Sequence, residues 1–412
     1  MPRINAERLL QDLHQLRTFG ACGNGVVRPS LSEIDMASRR WLCERFEAAG
    51  LTTVVDGVGN VIGQSANPGP ALVVGSHSDT QPTGGWLDGA LGVIYGLEVA
   101  RALAEDERTR HLAVDVASWI DEEGTFLGCL GSRAWCGVLD SQSVAESRNA
   151  AGQSLQDALV EAGLSGRAHA RLDPHRQFAY LEAHIEQGPY LEADDKRIGV
   201  VTGIVGIRGY EVRFDGQQNH AGTTPMALRR DAGMALIEFG HAINQAFRQL
   251  AGERTVWTIG RADFEPGAPS IIPGRARMML QMRDADDALL DAMEASAAQI
   301  ASQMSAAGPV SIDFARSREP VRPTIMDEAL QAHLRNAAEQ HASGRWVSMP
   351  SAAGHDPMVI SHHIPCAMLF IPSIDGISHD FAEDSRADDI VLGCQVLTDA
   401  AASILTARQQ DG

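Results

Sequence analysis

Four short apolar runs, at residues 71–74, 111–120, 178–183 and 366–372, each lead into a histidine or an acidic side chain. The first stops at Gly75 and delivers His77, Asp79 and Asp88. The second runs into Asp121-Glu122-Glu123-Gly124, the third into His184, and the fourth into a loop that ends at His379. Between them lie helical patterns such as Leu91–Ala104, whose apolar residues recur at helical spacing. Strands alternating with helices call for an α/β sheet. In an open α/β sheet, ligands gather beyond the carboxyl ends of the strands. Four ends that the chain separates by up to roughly 300 positions can therefore converge on one crevice.

The residue types at those ends suit a cation. His77 and Asp79 are two apart, so extended backbone projects them to one side, and a ligating histidine usually has its second ring nitrogen held by a carboxylate. Asp88, in the turn-like WLDGA, is placed to bridge two ions. Adjacent Glu122 and Glu123 are costly to bury together unless positive charge sits nearby. A pair of divalent ions supplies that charge, leaving one glutamate as a ligand and the other as a base. No GxSxG elbow offers a rival nucleophile.

Composition narrows the alternatives. A net charge of −19 argues against nucleic acid and anionic membranes as partners. Lys196 is the sole lysine, which excludes a GK[ST] phosphate loop and speaks against Schiff-base chemistry. The six cysteines lack CxxC spacing and are expected to be reduced core thiols. No run is expected to approach the ~18 to 20 apolar residues of a membrane span. MPRINAERLLQDLHQL lacks the apolar core of a signal peptide, so a cytoplasmic location is expected.

Residues 1–50 and 141–165 are expected to be helical. From about Gly206 the texture changes to a β-α-β-β-α-β order over 208–320, which fits a small ferredoxin-like insert. After Pro323 the first texture returns with a helix over 326–342. The expected organisation is thus a split α/β domain, 1–207 and 321–412, with a mixed sheet flanked by helices, interrupted by an inserted α+β domain at 208–320.

GSHSDTQPTGGWLDGALG, DEEGTFLGCLGSRAWCG, YLEAHIEQGPYLE, NHAGTTPMALRRDA, PGAPSIIPG, GHDPM and GISHDFAED occur in this order. In that order and wording the chain resembles the M20-type metallohydrolases. It is most similar to the branch of N-carbamoyl-L-amino-acid hydrolases, allantoate amidohydrolases and β-ureidopropionases, the hydantoinase/carbamoylase family amidases. The resemblance runs over roughly 10–405, with HIEQGP and NHAGTTPM its most specific pieces.

The resemblance implies two divalent metal ions per subunit; zinc, manganese, cobalt and nickel all suit such ligands. His77 and His184 would hold one ion, Glu123 and His379 the other, with Asp88 shared. Glu122 would be the general base and acid, and Asp79 the partner of His77. The insert would serve as the dimerisation and lid domain of a homodimer. His220 would reach the scissile carbonyl, across the dimer interface, and Arg283 would grip the substrate carboxylate, with Gln187 and the Gly354 backbone as further contacts. Without the resemblance, Arg283 is equally a strand arginine paired with Asp284 or Asp286.

Two departures bear on the substrate. Ser270 stands where the family commonly has an asparagine that helps hold the carboxylate end, and TFLGCLGSRAW differs from the usual carbamoylase wording. The expected activity is hydrolysis of a linear amide or ureido C–N bond in a small N-substituted amino acid, foremost an N-carbamoyl-L-amino acid. The alternatives are an aminoacylase or dipeptidase, and a non-catalytic binding protein on the same fold.

Overall fold

The four apolar runs become four adjacent parallel strands. In the computed structural model, which describes residues 2–410, they are β1 (Ala71–His77), β2 (Ala113–Trp119), β3 (Gln177–Ile185) and β4 (Cys366–Ile371). Their spatial order is β4-β3-β1-β2, and each neighbouring pair is parallel. All four carboxyl ends therefore open on one edge. Every residue of β1, β2 and β4 is buried, as strands covered on both faces require. The sheet is mixed: Val61–Gln64 pairs antiparallel with β2, and Ile198–Ile204 pairs antiparallel with β4.

Helix Ala90–Glu105 follows β1 and packs on it, buried from Ala90 to Leu103. It is met by helix Ala387–Gln410, which in turn carries Glu328–Ala342. By length and composition Ala387–Gln410 could cross a bilayer. Its apolar sequence is interrupted by Gln395, Thr398 and Asp399. In the structure most of it is buried, with Ile390, Val396, Leu397 and Ile404 in the main core.

Several local expectations change. Residues 1–50 hold two helices, Ala6–Thr18 and Glu33–Ala48, parted by a hairpin of Ala21–Cys22 and Gly25–Val26; the glycine-rich FGACGNGV lacks a helical apolar stripe. Residues 141–165 form two short helices, Ser141–Glu146 and Leu155–Glu161. Asp140 and Ser154 cap them separately, with a turn from Asn149 to Gly152 between. Strand β1 continues through His77, so the histidine sits on the strand itself. The cysteines are all free, but Cys22 is exposed on the hairpin rather than in the core.

The chain separates into two compact units, one built from residues up to Thr202 together with Ile325 onward, the other from Gly203–Thr324. The second unit has a four-stranded antiparallel sheet in the order Val256–Glu265, Arg275–Asp284, Gly206–Asp215, Ser311–Arg316. Helices Ala232–Leu250 and Asp287–Ala307 start on the caps Asp231 and Asp286. They bury Phe239, Ile243, Phe247, Leu290 and Met293 against the alternating inward residues Tyr210, Val212, Phe214, Met278, Leu280 and Met282. A small ribbon, Asn219–His220 paired with Ile271–Ile272, stands apart from that sheet.

Candidate metal centre

His77 ends β1, and Asp88 lies just before helix Ala90–Glu105. Glu122 and Glu123 follow β2, His184 is the penultimate residue of β3, and His379 follows β4 by a short 3-10 turn. Asp88 is the meeting point. Its Oδ1 lies 3.0 Å from His184 Nε2 and 3.5 Å from His77 Nε2, while its Oδ2 lies 3.3 Å from His379 Nε2. Glu123 Oε1 completes the second side, 3.8 Å from His379 Nε2. Two groups of possible ligand atoms result, His77–Asp88–His184 and Asp88–Glu123–His379, with all atoms in each within 4.8 Å of one another.

The donor inventory shows what these groups fit. His77 Nδ1 is 3.1 Å from the Asp79 carbonyl and His184 Nδ1 is 2.9 Å from the Ile185 carbonyl. A carbonyl only accepts, so each Nδ1 carries a proton and each Nε2 is turned toward Asp88 Oδ1. A carboxylate 3.0–3.5 Å from both Nε2 atoms calls for positive charge between them, a proton on the ring or a cation. Glu123 Oε1 is buried without a hydrogen-bond partner, an orphan acceptor that a cation satisfies. The residues fit a pair of divalent ions.

The electrostatics agree. Burial opposes charge on His77, yet Asp88, Glu122 and Asp79 hold its pKa well above the ordinary value. Burial would lift Asp88, but His184, His379 and His77 drive it well below the usual carboxylate range. Burial raises Glu122 well above its ordinary value, reinforced by Asp356, Glu123 and Asp79 and opposed by His77. Glu123 is pushed up to about 7 by burial and by Asp88. Negative charge is thus crowded and short of counter-charge.

The expected partnership of His77 and Asp79 takes a different form. The Asp79 carboxylate is 3.8 Å from His77 Nδ1, and the nearer acceptor is the Asp79 backbone carbonyl. The carboxylate instead accepts from Asp121 N at 3.0 Å and Glu123 N at 3.2 Å. Once His77 ends the strand, the chain bends and Asp79 reaches across to the β2 loop. It clasps the two peptides that flank Glu122, whose Oε2 lies 3.7 Å from His77 Nε2.

Two buried arginines hold the strand ends from behind. Arg39, paired with Asp35 at 3.0 Å, donates to the Gly59, Ser118 and Trp119 carbonyls. Arg28 donates to the Ser78, Leu16 and Phe19 carbonyls. Burial lowers the Arg28 pKa to about 10. Around the site three non-glycine residues adopt left-handed backbone, Asp121 (φ 58°), Gln187 (φ 58°) and His379 (φ 55°), a conformation that persists only where neighbours enforce it. Gly89, at φ 63°, has no such choice: a Cβ there would lie 2.4 Å from the His77 ring.

Gln187 joins the cluster, its Nε2 3.1 Å from Asp88 Oδ2 and 3.2 Å from Ser378 Oγ. Gly354 is exposed and precedes buried His355, whose ring is tilted by 59° against that of His184, with centroids 4.5 Å apart. His220, Ser270 and Arg283 belong to the second unit. Within it, Ala221 N donates to the Ser270 carbonyl, so His220 and Ser270 share the small ribbon. His220 Nδ1 accepts from Gly222 N and Thr223 N, which leaves the proton on Nε2. Arg283 lies near the far end of its strand and donates to Gln281 Oε1 at 2.9 Å.

Residue reading missed Arg28, Arg39, Gln81, His355 and Glu383. Gln81, which donates to Glu123 Oε2 at 2.7 Å, and Glu383 lie inside SHSDTQPTGG and ISHDFAED, so their motifs were visible while their contacts were not. Nothing in the sequence marks the two arginines.

Known proteins are similar to this chain over nearly its whole length. An N-carbamoyl-L-amino-acid amidohydrolase of Paenarthrobacter aurescens is 33% identical over 96% of this chain and 97% of its own. An allantoate amidohydrolase of Escherichia coli K12 is 32% identical over 94% of this chain and 95% of its own. The crystal structure of an amidase of the hydantoinase/carbamoylase family from Burkholderia phymatum is 55% identical and superposes with a TM-score of 0.94, covering 99% of each chain. The profile of peptidase family M20/M25/M40 matches residues 73–403, and the chain belongs to that family.

Proposed function

We propose that the protein is a metal-dependent amidohydrolase that cleaves linear C–N bonds other than peptide bonds, with N-carbamoyl-L-amino acids as its leading substrate class. The observation that carries this reading is Asp88, one carboxylate facing two groups of possible metal ligands. His77, Asp88 and His184 would hold one divalent ion and Asp88, Glu123 and His379 a second, which would supply a water of lowered pKa, toward ~7, and polarise the scissile carbonyl. Histidine and carboxylate ligands suit zinc, manganese, cobalt or nickel.

The chain's own residues supply the rest. Glu122, seated at the site and held at its flanking peptides by Asp79, takes a proton from the attacking water and delivers it to the leaving nitrogen. His220 presents Nε2–H as a donor to the developing oxyanion, a role worth ~10²–10³ in rate. Arg283 offers a planar fork for the substrate carboxylate, and Gln187 and the Gly354 backbone add contacts. Ser270, shorter than the family's asparagine, alters the carboxylate end.

The second unit supports a homodimer. Its edge strand Val256–Glu265 is exposed almost throughout, with Val256, Ile259 and Phe264 open to solvent. Met234 and Ile237 are exposed on helix Ala232–Leu250. Pairing two such edges about a twofold axis covers both features. The ribbon of His220 and Ser270 adjoins the Arg275 end of the strand Arg275–Asp284, since Gly216 N donates to the Gly274 carbonyl. Arg283 lies eight residues along that strand, roughly 26 Å away at ~3.3 Å per residue. An amino-acid derivative is too short to span that, which favours His220 reaching the partner's site.

A panel of N-carbamoyl, N-acyl and dipeptide substrates, assayed with each metal, tests the reading. Ammonia release from N-carbamoyl amino acids supports it. Turnover confined to N-acyl or peptidyl substrates, without ammonia, points to an aminoacylase or dipeptidase.

A further inference from the structure

Glu383 is 1% exposed and collects three hydrogen bonds from two distant parts of the chain. Its Oε1 accepts from Leu87 N at 3.2 Å and Asp88 N at 3.0 Å, and its Oε2 accepts from Ser378 Oγ at 2.9 Å. Leu87 and Asp88 form the turn of the shared carboxylate; Ser378 immediately precedes His379. We propose that Glu383 is a positioning residue that ties the Asp88 turn to the His379 loop and thereby sets the geometry of the second ion site. This rests on the two-ion reading above.

Three observations support the tie. A Cβ on Gly85 would lie 1.9 Å from Glu383 Oε1, so the carboxylate sits where only a glycine backbone leaves room. His379 is held at φ 55°, which requires local restraint, and the bond to Ser378 acts one residue away. Trp86 Nε1 also donates to Asp384 Oδ1 at 3.2 Å, a parallel link between the same two segments. Packing alone would favour an apolar side chain at a position this buried. The donors chosen, two peptide N–H groups of one ligand turn and the hydroxyl beside another ligand, are those a tether needs.

The tether separates the two ion sites. The His77–Asp88–His184 group draws two of its ligands from β1 and β3, which the sheet fixes. The Asp88–Glu123–His379 group depends on a loop ligand, and Glu383 holds that loop. Losing an orienting partner of this kind costs ~10–100-fold in metal affinity.

Calorimetric titration of chelator-treated full-length protein with Zn²⁺ tests the proposal, with His379→Ala marking which phase belongs to the second site. Glu383→Ala is expected to weaken that phase about 10–100-fold and the first phase by less, since the first shares Asp88 but takes its two histidines from strands. Glu383→Gln, which keeps the oxygen for both N–H groups and can donate to Ser378, is expected to restore most of the loss. Ser378→Ala cuts the tether on one side only and should weaken the second phase alone, which decides the matter if Glu383→Ala does not fold. Wild-type affinities in both Glu383→Ala and Ser378→Ala overturn the tether, as does an equal loss of both phases. A wild-type protein that binds fewer than two ions fails the two-ion reading instead.

Discussion

Asp88 meets His184 at 3.0 Å through Oδ1 and leaves Oδ2 to His379 at 3.3 Å. One carboxylate thus faces two ligand groups, and its removal should empty both. Asp88→Asn is expected to lower bound metal from two ions per chain toward none. Activity should fall about 10³-fold or more, since several kcal/mol of charge stabilisation goes with the ions. Elemental analysis of the purified variant checks this; two retained ions would contradict it.

Asp79 should behave differently from a ligand. Its carboxylate holds the Asp121 and Glu123 peptides, and an asparagine can accept only one of those two donors well. Asp79→Asn is expected to keep both ions and lose roughly 10–100-fold in kcat, with little change in KM. Loss of metal in step with activity would instead assign the carboxylate to His77.

His77, Asp88, Glu122, Glu123, His184 and His379 were legible because each sits at the end of an apolar run or in the loop that follows it, and the runs turn out to be neighbours in one parallel array. The mixed sheet with flanking helices was legible for the same reason. The role of Asp79 was not, because it depends on how the chain bends after His77. Arg28 and Arg39 were invisible because arginine in an amphipathic helix or loop reads as surface; only the fold shows both fully buried against carbonyls. The hairpin at Ala21–Val26 was missed because two-residue strands leave no periodicity.

Arg39 is expected to matter for stability. Arg39→Met leaves Asp35 buried without its partner, which typically costs roughly 3–5 kcal/mol. Arg39→Lys keeps a charge but cannot fork to the Gly59, Ser118 and Trp119 carbonyls, and should fall between. Denaturant midpoints measure both. A loss below about 1 kcal/mol in Arg39→Met would show the pair to be dispensable.

Removing metal should make stability fall as pH rises. In the metal-free fold, burial pushes Asp121, Glu123 and Asp356 up to about 7 and Glu182 up to about 8. Unfolded carboxyls titrate near ~4. Between about pH 4 and 8 the folded state therefore binds more protons than the unfolded state, and raising pH favours unfolding. Chelated protein is expected to melt several degrees lower at pH 8 than at pH 5.5, and the gain on adding metal should be larger at pH 8. A chelated protein whose melting temperature holds or rises over this window contradicts the crowding of negative charge.

The central claim is that Glu122 moves the proton while its neighbours hold the ions. Glu122→Gln keeps the shape and removes the base. The decisive measurement is turnover of an N-carbamoyl-L-amino acid by this variant, with bound metal counted on the same sample. Two ions per chain with kcat lowered about 10²–10⁴-fold is the expected result. Two ions per chain with near-wild-type kcat would contradict it.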